Sequence, residues 1–208
     1  MFFVWSEQMG LKLSTKKCGV IHLGCRNQRY NYRLGDDVLT KMDIVKDLEV
    51  RFSASLTFSE QVDFVVKKCS LICCWVLRSL ASKSPSSYIK LYEAHVIPLF
   101  MYACVIWNPS RVGDLLLLEK MQRRFSRRVE RRCGLDRHAI DLLSVNERMR
   151  TADIKQFKRI LRDESMFDDL FDLVHTRSRM GFVIKPKATA HTERINHLFM
   201  RRVARELN

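Results

Sequence analysis

The spacing of apolar positions changes along this chain. In the first third, short stretches at 18–23, 30–34, 38–44 and 48–52 are rich in Val, Ile, Tyr and Phe and are bounded by Gly24, Gly35 and Asp36-Asp37. That pattern predicts short strands with a tight hairpin turn at 35–37. Residues 1–9 read as the last turns of a helix, with Gly10 in the position of a C-terminal cap. From Thr57 onward the period is helical. Thr57 and Glu60 have the spacing of a capping box, and Val62, Val65, Val66, Cys69, Ile72, Cys73 and Val76 then fall on one stripe of a helix expected to run to 82.

Ser84-Pro85 opens a second helix, because proline at the first helical position loses no needed hydrogen bond. Pro98 should kink or break it. A third helix is expected over 112–133 with Gly134 as its stop, a fourth from a second capping box at Ser144 and Glu147 to about 162, and a last over 193–206. The fold class is therefore α+β and mostly α, a small antiparallel hairpin region followed by a helical bundle. The expected organisation is 1–55, 56–134 and 135–208.

Composition narrows the partners. The chain has 208 residues, 37 Lys and Arg against 23 Asp and Glu, and a net charge of +14. Such a field attracts phosphates or anionic surfaces, and nucleic acid leads the candidates. With 7 Gly and 4 Pro, collagen-like and many-turned all-β chains are excluded. The seven cysteines are odd in number and no cationic, apolar leader precedes them, which points to an intracellular protein, nuclear or cytoplasmic, and not a secreted one. The longest uncharged apolar run, 96–107, contains Pro98 and is short of the roughly 20 residues a membrane helix needs.

The third helix carries the main chemical feature. On a helical wheel Leu118, Met121, Phe125 and Val129 fall within about 80° of arc, while Arg123, Arg124, Arg127, Arg128 and Arg131 take the other side. Between Lys120 and Arg137 there are eight basic and two acidic residues. Arginine repeated on one helix face suits phosphate, because its planar fork donates two bonds at once. Lys67 and Lys68 form a second, smaller basic cluster.

Other candidate chemistry is weaker. Asp36 and Asp37 follow Gly35 as paired metal-binding aspartates do in some polymerases, but Gly-Asp is also ordinary turn chemistry, and the 33 residues before Leu34 hold one acid, Glu7. Cys69, Cys73 and Cys74 lack the paired C-x-x-C spacing of a zinc site and read as buried thiols. Cys133 with His138, and His191 with His197, also lack a partner pair. The acidic segment 163–172 reads as a solvated helix end or an internal partner for the arginine stripe.

Several blocks resemble, in order, segments of the reverse transcriptases of non-LTR, LINE-type retrotransposons. Trp5 with "GLKLSTKKC" is similar to the segment that follows the catalytic strand. "YNYRLGDDVL", "VKDLEVRFSASLTFSEQV", "IKLYEAHVIPLFMYACVIWNP", "LLLLEKMQRR" and "HLFMRRVARELN" are similar to later blocks. The resemblance implies that 1–55 is a palm edge, 56–134 a thumb and 135–208 a post-thumb region. It makes Lys17 the lysine of the late palm motif and Leu48, Glu49 and Val50 the primer-grip-like hairpin, with Glu49 where the family has Gly.

It also implies that the catalytic aspartates and their magnesium ions belong to palm strands upstream of Met1, so that this chain alone holds no cofactor and does not polymerise. The expected partner is the backbone of RNA, DNA or their hybrid, not a membrane. Arg123, Arg124, Arg127, Arg128, Arg131, Lys67 and Lys68 are the expected contacts. The alternatives are a helical module whose apolar faces meet the absent palm and fingers or another protein chain, and a decayed remnant without a selected function.

Overall fold

A computed structural model describes residues 5–6, 8–11, 13–24 and 27–163, together with the backbone of Phe171–His175 and Phe182–Pro186. The chain is α+β, mostly α, and divides into two compact units, Met1–Thr57 and Phe58–Asn208. Residues 5, 6 and 8 are helical, and Gly10 sits at φ +69°. The Leu11 amide reaches back to the Ser6 carbonyl at 2.8 Å, as an αL-terminated helix end requires.

The first unit is built from short strand pairs. β1 (Gly19–Val20) pairs in parallel with β4 (Thr40–Lys41), where an antiparallel hairpin region alone was expected. β2 (Arg33–Leu34) and β3 (Asp37–Val38) form an antiparallel pair closed by Gly35 and Asp36. Gly35 is at φ +62°, the conformation that two-residue hairpin loops demand and glycine adopts without strain. The aspartate pair is therefore part of a turn, and the Asp36 carbonyl accepts from the Arg33 guanidinium at 3.0 Å.

β5 (Ile44–Asp47) and β6 (Val50–Ser53) are antiparallel, with Asp47 opposite Val50. The strand expected over 48–52 thus starts two residues late, because Leu48 and Glu49 are the turn. Ser53 and Ser55 then engage Thr57: Ser53 Oγ donates to the Thr57 carbonyl at 2.7 Å, and the Ser55 and Thr57 hydroxyls lie 2.9 Å apart. This corrects the first expected capping box. The helix begins at Ser59 with Phe58 at the cap, so Thr57 lies outside it and its hydroxyl serves the serine turn.

The second unit is helical. α1 (Ser59–Ser79) buries Val62, Val65, Cys69, Cys73, Val76 and Leu77. α2 (Pro85–His95) opens on proline and closes before Pro98, which sits in the first turn of α3 (Ile97–Met101). Ala103 at φ +50° turns the chain into α4 (Cys104–Trp107), a break that the apolar run 96–107 conceals. α5 (Val112–Cys133) ends on Gly134 at φ +68°, and α6 (Val145–Ile160) starts with the reciprocal Ser144–Glu147 capping box. α1 packs on α2, α3 and α5, and α6 packs on α4 and α5. β7 (Phe171–His175) and β8 (Phe182–Pro186) form a further antiparallel pair. The helix expected over 193–206 lies outside the described residues, as does 164–170 of the acidic segment; its last residue, Asp172, is in β7.

Buried polar pairs tie the helices together. Tyr92 Oη donates to Gln122 Oε1 at 3.0 Å, and Gln122 Nε2 donates to the Leu143 carbonyl at 3.0 Å. The Tyr92 ring stacks on Phe125 with centroids 4.7 Å apart. Asn108 Nδ2 donates to Asp153 Oδ2 at 3.0 Å, joining the segment after α4 to α6. Trp107 is fully buried and its indole N–H donates to the Tyr102 carbonyl at 2.8 Å. Each bond satisfies a group that would otherwise be costly inside a low-dielectric core. Among the described residues, no helix is long and apolar enough to cross a membrane.

Candidate nucleic-acid interface

α5 divides sharply. Leu118, Met121, Phe125 and Val129 are buried, as are Gln122, Ser126 and Glu130 beside them. Arg123, Arg124, Arg127, Arg128 and Arg131 are all exposed. The amphipathic pattern causes this separation: the apolar stripe docks on α1, and the opposite arc is left to water. Glu130 is buried, and its carboxylate accepts from the Ile140 amide at 3.3 Å. Among the described residues no carboxylate forms an ion pair with these five arginines; Lys46 and Glu49, in the first unit, do form one.

The five arginines are not equivalent. Arg123, Arg127 and Arg131, with Lys120, follow the outer face over about 16 Å, at about 1.5 Å of rise per residue. Arg131 Nε donates to the Arg127 carbonyl at 3.2 Å. Arg128 instead leans toward α1, with Nη1 3.5 Å from Cys74 Sγ. Arg132 reaches the same helix and donates to the Leu77 carbonyl, one of the last carbonyls of α1, which have no helical partner.

An open groove of about 570 Å³ results, lined by Cys74, Leu77, Arg78, Arg128, Arg131 and Arg132. Arg78 and Arg132 were not among the expected contacts. They join through the pairing of α1 with α5, and a tertiary pairing leaves no mark in the spacing of either helix alone.

Lys67 and Lys68 are exposed on α1, and Lys68 Nζ lies 5.9 Å from the centre of the Phe64 ring. At i, i+7 spacing they share rows with Cys74 and Trp75, so this cluster is on the basic side of the bundle.

The remaining expected residues are in the first unit. Lys17 closes a 3-10 helix, Thr15–Lys17, and is exposed. Leu48 and Glu49 adopt φ +44° and +66°, and Val50 is buried. A loop with both central residues at positive φ is where Asn-Gly or Gly-Gly is favoured. Glu49 holds that conformation with its carboxylate 2.5 Å from Lys46 Nζ.

Cysteine chemistry is confined. Burial pushes the Cys69 and Cys73 thiols up to about 12. Cys69 Sγ lies 3.9 Å from the Val96 carbonyl and Cys73 Sγ 3.9 Å from Met121 Sδ. Both are packing groups. Among the described residues no cluster of three His, Cys, Asp or Glu could hold a metal ion.

No family model matches the chain, and no solved structure matches it. An uncharacterized protein of Caenorhabditis elegans is similar to it, 30% identical over 118 residues, which are 57% of this chain. The chain spans 60% of the length of that curated relative.

Proposed function

We propose that this chain binds the phosphate backbone of RNA, DNA or an RNA–DNA hybrid without sequence preference, as the palm-edge and thumb portion of a LINE-type reverse transcriptase. The carrying observation is the exposed arc of α5, whose arginines find no carboxylate among the described residues. A stripe of guanidinium groups on a rigid helix positions phosphates and reads no base edges. Asp36 and Asp37 stand at a hairpin turn, and among the described residues no third His, Cys, Asp or Glu joins them in a group that could hold a metal ion. Isolated chain with magnesium and a primed template is expected to give no extension product.

Salt titration of duplex binding tests the reading. Each neutralised phosphate contributes about 0.9 to the slope of log affinity against log salt on duplex DNA. Replacing Arg123, Arg127 and Arg131 with Gln reduces the slope by about 2 to 3. An unchanged slope rejects this face as the contact surface.

One observation favours a second reading, a protein-interaction module. Leu116 and Leu117 are about two-fifths exposed and Val112 is 72% exposed, all on the N-terminal half of α5. That reading predicts a stable assembly in gel filtration after nuclease treatment, without nucleic-acid binding.

A further inference from the structure

Trp75 and Leu71 stand out among the exposed apolar side chains because of what surrounds them. Trp75 is 51% exposed and Leu71 is 71% exposed. On the α1 wheel Lys67, Lys68, Leu71, Trp75 and Arg78 fall within about 100° of arc, and all are exposed. The indole is held in place, since His95 meets it edge-on at 5.7 Å between ring centres. Arg78 follows one turn later, about 4.5 Å along the helix axis at 1.5 Å per residue, and lines the groove with Arg128, Arg131 and Arg132. A half-open aromatic thus shares a helix face with Arg78, one of the four arginines that line the groove, and among the described residues no acid lines it.

We infer that this face of α1 is a docking site for an unpaired nucleic-acid strand, with a base stacked on Trp75 and the neighbouring phosphate in the arginine groove. The inference rests on the backbone-binding reading above and deepens it. A duplex fits this site poorly, because its bases are stacked on one another and offer no free face to an indole. An apolar protein surface fits it poorly as well, because it would have to cover four arginines that no carboxylate among the described residues pairs. A single strand supplies both a free π face and a phosphate, the combination that aromatic and basic side chains together recognise.

The test measures binding of the whole chain to a short fluorescein-labelled oligothymidylate and to a duplex of the same length, by anisotropy across a salt series. Trp75→Ala weakens oligothymidylate binding about tenfold with its salt slope unchanged, and leaves duplex binding as it was. Trp75→Phe retains most of the affinity, since a phenyl ring also stacks. Arg78→Gln lowers the single-strand slope by about 0.7. Melting curves of the variants establish that each is folded.

Trp75→Ala binding the oligothymidylate as wild type does, or losing both ligands equally, overturns the inference while backbone binding stands. An oligomer that Trp75→Ala dissolves without changing single-strand affinity overturns it too and makes the patch a protein contact. Wild type that binds neither ligand at low salt rejects the backbone reading itself, and this inference with it.

Discussion

The contact between Tyr92 and Gln122 offers the sharpest test of how the helical unit is held together. Gln122 is buried between two partners. It accepts from Tyr92 Oη at 3.0 Å and donates to the Leu143 carbonyl at 3.0 Å, so one side chain links α2, α5 and the approach to α6. Gln122→Leu keeps the volume and removes both bonds. It leaves a buried phenol without its partner, at about 1–3 kcal/mol, and a part-buried carbonyl on exposed Leu143, at less. A loss of about 2 kcal/mol is expected after allowing for the added apolar burial, or about 4–8 °C in melting temperature for a chain of this size.

Tyr92→Phe removes the hydroxyl and leaves one amide oxygen without it, at about 1–2 kcal/mol. In the double variant the phenol and the amide are both gone, and only the carbonyl remains affected. The two losses should therefore fall short of additivity by about 1–2 kcal/mol. Urea unfolding of the four proteins, followed by circular dichroism at 222 nm, measures the cycle. Additive losses, or a Gln122→Leu cost below about 1 kcal/mol, would refute the reasoning that this bond organises the bundle.

Other consequences follow from the same kind of reasoning. At position 49, φ +66° strains any side chain with a Cβ, so Glu49→Gly should hold the β5–β6 hairpin about 1 kcal/mol more firmly than Glu49→Ala, read as amide-exchange protection across Ile44–Asp47 and Val50–Ser53. Equal protection in the two variants would contradict the turn geometry. Asn108→Ala takes one donor from the buried Asp153 carboxylate and should cost about 2–4 kcal/mol in urea unfolding. Alkali should destabilise the fold: Cys69 and Cys73 ionise near 9.0 when unfolded and near 12 when folded, so their contribution is fully present below pH 9 and is lost as pH rises toward 12. Cys69→Ala should flatten the fall of the urea midpoint between those limits, and an unchanged profile would show that this thiol does not titrate on unfolding.

Which parts of this architecture the sequence reveals depends on the range of the forces involved. Local forces are legible. Gly134 as the stop of α5, Pro85 at the start of α2 and the Ser144–Glu147 box are satisfied within a few residues of themselves, and each is found where its spacing places it. The buried stripe of α5 is legible for the same reason, because a period of 3.6 is a property of one helix. The failures have a common cause. Thr57 has the spacing of a cap, yet its hydroxyl is taken by Ser53 and Ser55, and two cap chemistries cannot be ranked from spacing alone. Leu48 looks like the start of a strand but is a turn residue, since a cross-strand register sets positive φ there against residue preference. Arg128 belongs to the stripe by wheel angle and to the groove by tertiary contact.

The same division bears on what the resemblance to reverse transcriptases carries. Two of the blocks behind that proposal contain Tyr92, Trp107, Asn108 and Gln122, and these side chains are buried and hydrogen-bonded within the bundle. They hold helices in place and present nothing to a ligand. Glu119 acts likewise, accepting from the Asn146 amide at 3.2 Å in the first turn of α6, where a carboxylate also meets the positive end of the helix dipole. Likeness in such positions bears on how the helices pack and not on what the chain binds. The side chains that would touch nucleic acid, from Trp75 and Arg78 to the outer arginines of α5, are on the surface, where packing imposes little. Functional assays therefore belong on that surface, with the Tyr92–Gln122 cycle as the independent measure of whether the scaffold beneath it is intact.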